Sequence, residues 1–173
     1  MLLRIIGAVL VCSSSALLGM YLARLDQYRA IDLNEWKKAL LILRSQIDFA
    51  AVPLPEAMNI TSERVGEPVS GTLKLFAQCL HSKDSADVYS IWTNTVKGEM
   101  KNSYLKQEDY DWLSNFGKTL GFLDRTMQLN SIDLTVSYID GKTEALAVQS
   151  EKHKKMYGSL GILGGLLTVV ILL

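Results

Sequence analysis

The last fifty residues constrain this chain more than any other stretch. Between Asp124 and Leu173 there is no Pro, and Gly141 is the only Gly before a run of small residues that begins at Gly158. Leu129, Ile132, Val136, Ile139, Thr143 and Leu146 step by three and four, which keeps one apolar seam on one side of a helix. Lys152, His153, Lys154 and Lys155 follow, and from Met156 to Leu173 no charge appears again. The pattern predicts one helix that leaves a packed bundle, crosses a basic collar and enters a membrane.

Ile5–Ala23 has no charged residue and is long enough for a helix of roughly 28 Å. A cleaved signal peptide is the competing reading. A single basic residue, Arg4, precedes the apolar run, and Ala23-Arg24-Leu25 is a poor cleavage site, so an uncleaved span is expected. The tail at 156–173 carries Gly158, Gly161, Gly164 and Gly165, a close-approach face suited to packing in lipid. The expected division is therefore a transmembrane helix at 1–23, a helical domain at 24–155 and a second transmembrane helix at 156–173. Arg24, Arg29, Lys37, Lys38, Lys152, Lys154 and Lys155 flank the spans on the middle-domain side, against Arg4 alone on the other. The positive-inside rule then puts the middle domain in the cytoplasm with both termini across the membrane.

The 173 residues carry no net charge and leave roughly 130 between the apolar ends, enough for one modest core. Only three Pro and little strand-like alternation favour an all-α fold. Cys12 lies in the first apolar segment and Cys79 in the middle domain, so a disulfide between them is not expected, and one thiol in the middle domain fits a reducing compartment.

Taken in order, helix 1 is expected from Leu25 to Ala51, with Leu33, Trp36, Leu40, Leu43, Ile47 and Ala50 inward and Leu41 widening the stripe. Pro53 stops it. A short helix 2 follows at Glu56–Arg64, with Pro55 at its first turn. Gly66-Glu67-Pro68 breaks the chain before helix 3, Val69–Leu80, which turns Val69, Leu73, Phe76 and Leu80 inward. Asp84 or Ser85 caps helix 4, which carries Val88, Ile91, Trp92, Thr95 and Val96. Helix 5, Gln107–Leu120, buries Leu113, Phe116 and Leu120 and ends at Gly121. Asp124 caps the last helix.

Six helices with short connections predict an up-and-down antiparallel bundle. Counting directions outward from the membrane sends the 97–106 connection, with Lys97, Lys101 and Lys106, to the membrane-facing end. Together with Arg24, Arg29, Lys152, Lys154 and Lys155 it forms a candidate surface for anionic headgroups. The opposite end collects Pro53, His81, Lys83, Gly121, Asp124 and Arg125, a candidate protein-docking face.

No catalytic, cofactor or metal site is expected. No phosphate-cradling Gly loop is present. Cys79 and His81 fall on different helix faces. Glu108, Asp109 and Asp111 suit the start of helix 5 through its dipole, and His153 is read as interfacial packing. Basic residues are not interleaved with exposed aromatics, so nucleic-acid binding is not supported. A membrane-bound regulatory or sensor module is the alternative to a docking module, and a ligand cavity inside the bundle distinguishes the two.

Four segments, in this order, carry a resemblance: Pro53-Leu54-Pro55-Glu56-Ala57-Met58, Gly66-Glu67-Pro68-Val69, Leu120-Gly121-Phe122-Leu123-Asp124-Arg125 and Lys155-Met156-Tyr157-Gly158-Ser159-Leu160-Gly161. With a span at each end of a helical domain, the chain closely resembles the stage III sporulation protein AB family of endospore-forming Firmicutes. The Pro-Leu-x-x-Ala turn and the Gly-Glu step are also similar to the cytoplasmic repeat of type II secretion and type IV pilus platform proteins. The resemblance implies a component of a secretion-like channel in the mother-cell membrane facing the forespore. It also implies a cytoplasmic secretion-type ATPase and other channel membrane proteins as partners.

Overall fold

The computed structural model describes residues 2–50, 52–82, 87–120 and 124–172. Among them are six α-helices and no strand: α1 (Leu2–Ser45), α2 (Leu54–Ser62), α3 (Val69–His81), α4 (Val88–Glu99), α5 (Gln107–Gly117) and α6 (Arg125–Leu172). A π-helical turn, Gln46–Ala50, ends α1, and a 3₁₀ turn, Met100–Asn102, follows α4. The chain divides into two units, Met1–Ala30 with Glu144–Leu173, and Ile31–Thr143.

In the Ile31–Thr143 unit, local chemistry sets the helix boundaries. Pro53, with φ −54° and ψ 143°, precedes α2, and its carbonyl accepts from the Ala57 N–H at 2.9 Å. Asp124 caps α6 as expected, its Oδ1 accepting from the Thr126 N–H at 2.9 Å. At α5 the Lys106 N–H donates to Asp109 Oδ2 at 2.9 Å. The sequence predicts a separate helix 1 that starts at Leu25. Instead α1 runs unbroken through that point, because neither Gly nor Pro occurs between Gly19 and Pro53. Asp84, Ser85 and Gly121, the expected cap of helix 4 and stop of helix 5, lie outside the described residues.

Trp92 is the centre of this unit and is fully buried. Its Nε1–H donates to the Leu113 carbonyl at 2.7 Å, which satisfies the one polar group the indole carries into the core. Three rings meet it edge-on: Phe76 at 5.0 Å between centroids, Phe116 at 5.5 Å and Trp36 at 6.0 Å. One side chain on α4 therefore ties α1, α3 and α5 together. Gly117 makes this possible, because a Cβ there would land inside the Trp92 ring.

Helices α1 and α6 supply the long seam. Leu33, Trp36, Leu40 and Leu43 on α1 and Ile132 and Ile139 on α6 are at most 3 % exposed. Lys37 pairs with Asp140 at 2.5 Å and Arg44 with Asp133 at 2.9 Å. Seven residues forward on α1 match seven back on α6, so the helices are antiparallel here. Each exposed pair contributes about 0.2–1 kcal/mol, against about 1.5–3 kcal/mol for each buried Leu or Ile, so the apolar seam dominates and the charges fix its register. Leu41 does not widen the stripe: it is 45 % exposed, one position round the helix from Leu40. Trp112, 41 % exposed, stacks on Tyr138 at 4.6 Å at the bundle edge.

In the other unit α1 and α6 again meet. His153 Nδ1 lies 3.3 Å from Asp26 Oδ2, and Leu146 and Ser150 are buried. Among the described residues no helix is long and apolar enough to cross a membrane. Most side chains of 1–23 and 156–173, the two expected spans, lie outside the described ones.

Substituting Gly117→Ala should destabilise the protein by about 3 kcal/mol, because neither the Trp92 ring nor the α5 backbone has room to move. Urea unfolding followed by tryptophan fluorescence measures this. A loss below about 0.5 kcal/mol would show that the Trp92 packing is not as tight as described.

Candidate functional site

The Ile31–Thr143 unit has two ends of different construction. At the near end, α1 begins its course through the unit and α6 completes its own. Here Asp32 Oδ2 accepts from the Tyr104 N–H at 2.7 Å, across 72 residues of sequence. Asp109 is almost fully buried, and its Oδ1 accepts from the Tyr138 hydroxyl at 3.0 Å. Lys142 pairs with Glu108 at 2.8 Å. The 97–106 connection is therefore fastened to α1 by Asp32, and α5, through Asp109, to α6.

Burial pushes the Asp32 carboxyl above the usual carboxylate range, and the Tyr104 hydrogen bond opposes only part of that. The loop is held by a carboxylate that is costly to bury and is compensated by a backbone donor.

Lys97, Lys101 and Lys106 are all exposed on this connection. Lys97 lies in the last turn of α4, Lys101 in the 3₁₀ turn and Lys106 at the N-cap of α5. Of the other basic residues expected at a membrane surface, Arg24, Lys152 and Lys155 are exposed, while the Lys154 side chain is not among those described. Arg29 departs from expectation: it is 3 % exposed and cannot present its charge to headgroups. The seam that buries Asp26 and Ser150 in the same unit also takes up Arg29.

At the far end, the π-helical turn brings Asp48 against Arg125, with Nη2 2.5 Å from Oδ1 and in contact with the Asp48 carbonyl. Arg44 reaches the same Asp48 at 3.8 Å. This joins Arg125 and Asp124 at the start of α6 to the stretch that leads into the exposed Pro53. His81 is exposed in the last turn of α3. Lys83 and Gly121, the remaining expected docking residues, lie outside the described residues.

Sequence reasoning missed Asp32 and Asp109 as fasteners. Asp32 stands beside Leu33 at the edge of the inward stripe, the one available signal. Asp109 falls on the inward face of α5 with Leu113 and Phe116, at a spacing of four and seven, which a helical-wheel reading of the acidic run would have found.

Chemically the unit offers packing and charge. Cys79 is half-buried and His81 exposed, two residues apart, so they do not form a nucleophile and base. Among the described residues, no three His, Cys, Asp or Glu side chains gather as a metal site. A cleft between Trp36, Pro68, Thr72, Val96, Glu99, Ser103 and Leu105 has room for about 10 Å³, a single water's worth.

These features define a small helical-bundle protein whose distinguishing surfaces are its two loop ends. The chain belongs to the stage III sporulation protein AB family, whose model matches residues 4–173. It is 30 % identical over 173 residues to stage III sporulation protein AB of Bacillus subtilis strain 168, covering 99 % of this chain and all of the relative. A solved structure of a stage III sporulation protein AB superposes with a TM-score of 0.66 at 24 % identity, covering 72 % of this chain and 97 % of the other, and shares its fold.

The raised Asp32 pKa has a testable sign. The folded state holds the Asp32 proton more tightly than the unfolded chain, so this residue contributes most to stability below the ordinary carboxyl pKa. The contribution is lost as pH rises through the raised folded value. The stability of the wild type relative to Asp32→Asn should therefore rise as the solution is acidified through that window. Urea titrations of both proteins at several pH values measure it, and a pH-independent difference would contradict the assignment.

Proposed function

We propose that this protein is a non-enzymatic membrane component of a secretion-like mother cell–forespore channel. In this reading the apolar segments at 1–23 and 156–173 span the mother-cell membrane. The bundle lies on the cytoplasmic side and serves as a docking platform for a secretion-type ATPase and other channel proteins. Membership in a sporulation family supports the biological setting. The observation that carries the mechanism is the asymmetry of the Ile31–Thr143 unit. Its near end holds an exposed lysine connection, clamped by Asp32, beside the helices whose apolar ends would enter the bilayer.

The lysines are suited to anionic headgroups at about 1 kcal/mol per well-placed charge. The far end, around Pro53, His81, Asp124 and Arg125, is then turned away from the lipid and available to a protein partner. The cleft between Trp36, Thr72 and Val96 has room for a single water and is too small to be a sensor's ligand chamber.

Changing Lys97, Lys101 and Lys106 together to Glu should weaken binding of the 24–155 fragment to anionic liposomes at low salt by at least about ten-fold. Unchanged binding would remove the lysines from the interface. In a pull-down against the secretion-type ATPase, reversing Lys83 and Arg125 should abolish capture, whereas retention would move docking away from the far end.

A further inference from the structure

Within the Ile31–Thr143 unit, helix α6 carries two apolar lines. Ile132 and Ile139, seven residues apart, are buried in the seam with α1. On the opposite side of the helix Met127, Leu134 and Gly141 also recur every seven residues, and these face solvent. Met127 is 55 % exposed and Leu134 65 %. Trp112, on the α5 flank of this line, is also exposed where it stacks on Tyr138. Single exposed apolar residues need no explanation, but a line of them at a heptad repeat is the pattern of a helix–helix seam.

Gly141 sharpens the point. A Cβ at this position would meet no atom within 4 Å, so nothing in the chain's own packing requires glycine there. Glycine inside a helix is costly relative to alanine. In line with Leu134, its open surface lets another backbone come close.

We propose that a second copy of this chain covers the line, with α6 of one copy lying parallel to α6 of the other. A seven-residue repeat calls for a helix as the occupant, because it matches two helices that cross at a shallow angle. The charges select a self-complementary partner. Asp133 and Asp140, which border the line on the α1 side, are paired in the chain with Arg44 at 2.9 Å and Lys37 at 2.5 Å. Lys142, on the α5 side, is paired with Glu108 at 2.8 Å. These neutralised borders meet their own copy without opposing like charges, and they give a strongly charged partner little to pair with. The parallel direction rests on the membrane reading above, in which the tails of both copies enter one bilayer. It sets Met127, Leu134 and Gly141 each against its counterpart, with Trp112 closing one flank.

The test uses the full chain in detergent micelles, in a background of Cys12→Ser and Cys79→Ser. On mild oxidation, Leu134→Cys and Met127→Cys should each form a disulfide-linked dimer, whereas Gln78→Cys, exposed on α3, should not. Gly141→Leu, for which the single chain has room, should lower the Leu134→Cys yield by about five-fold or more while the urea midpoint does not fall. Equal yields from Leu134→Cys and Gln78→Cys would mark random collision and overturn the proposal. A yield that Gly141→Leu leaves unchanged also overturns it. Linkage through Leu134→Cys but not through Met127→Cys would mark an antiparallel pair and overturn the parallel seam. Alkaline washing of vesicles that carry the chain tests the membrane reading separately, and the linkage pattern judges the seam whichever way that result falls.

Discussion

Trp92 packs against α1, α3 and α5 at once, and the Ile31–Thr143 unit depends on that junction. The indole is large enough to touch Trp36, Phe76 and Phe116, and its single donor is satisfied inside the core by Leu113. Removing any of the three rings would leave a void beside a rigid neighbour, which close-packed interiors tolerate poorly. Gly117 is the reciprocal of Trp92, since the absence of a Cβ gives the indole its room. A core with one large rigid hub holds the ends of the bundle at fixed positions.

The charged contacts have a different task. Lys37–Asp140, Arg44–Asp133 and Asp48–Arg125 run along the α1–α6 seam and are at least partly exposed. Their energetic weight is small, but a slip of one residue would bring each cation opposite a different neighbour, so they select one register for an apolar seam that alone is less discriminating. Asp32 and Asp109 act at the near end instead, where carboxylates inside the bundle hold the α4–α5 connection and the start of α5. Together these contacts keep the lysine connection at one end of the unit and Arg125 at the other.

Much of the fold was legible because its signals are local. The three- and four-residue stepping of Leu33 to Leu43 and of Ile132 to Leu146 marked the seam. Pro53 and the Gly66-Glu67-Pro68 break marked the turns, and Asp124 announced its helix. The parts that were not legible depend on side chains meeting across long stretches of chain. Nothing local distinguishes Arg29, which is buried, from Arg24, which is exposed. Leu41 reads as core by type, yet a position one step beyond the stripe turns it to solvent. Asp32 and Asp109 read as ordinary helix acids until Tyr104 and Tyr138 are brought beside them. For the candidate site, the exposure of Lys97, Lys101 and Lys106 was legible, whereas the clamp beneath them was not.

A rigid bundle with a lysine connection at one end and an ion-paired turn at the other is the physical basis of the docking module we propose. The most direct test is protease accessibility of the full chain in intact protoplasts and after their lysis. The account predicts a bundle that resists added trypsin until lysis and stays with the membrane fraction after alkaline washing. A bundle cleaved in intact protoplasts, or a chain released by the wash, would contradict it.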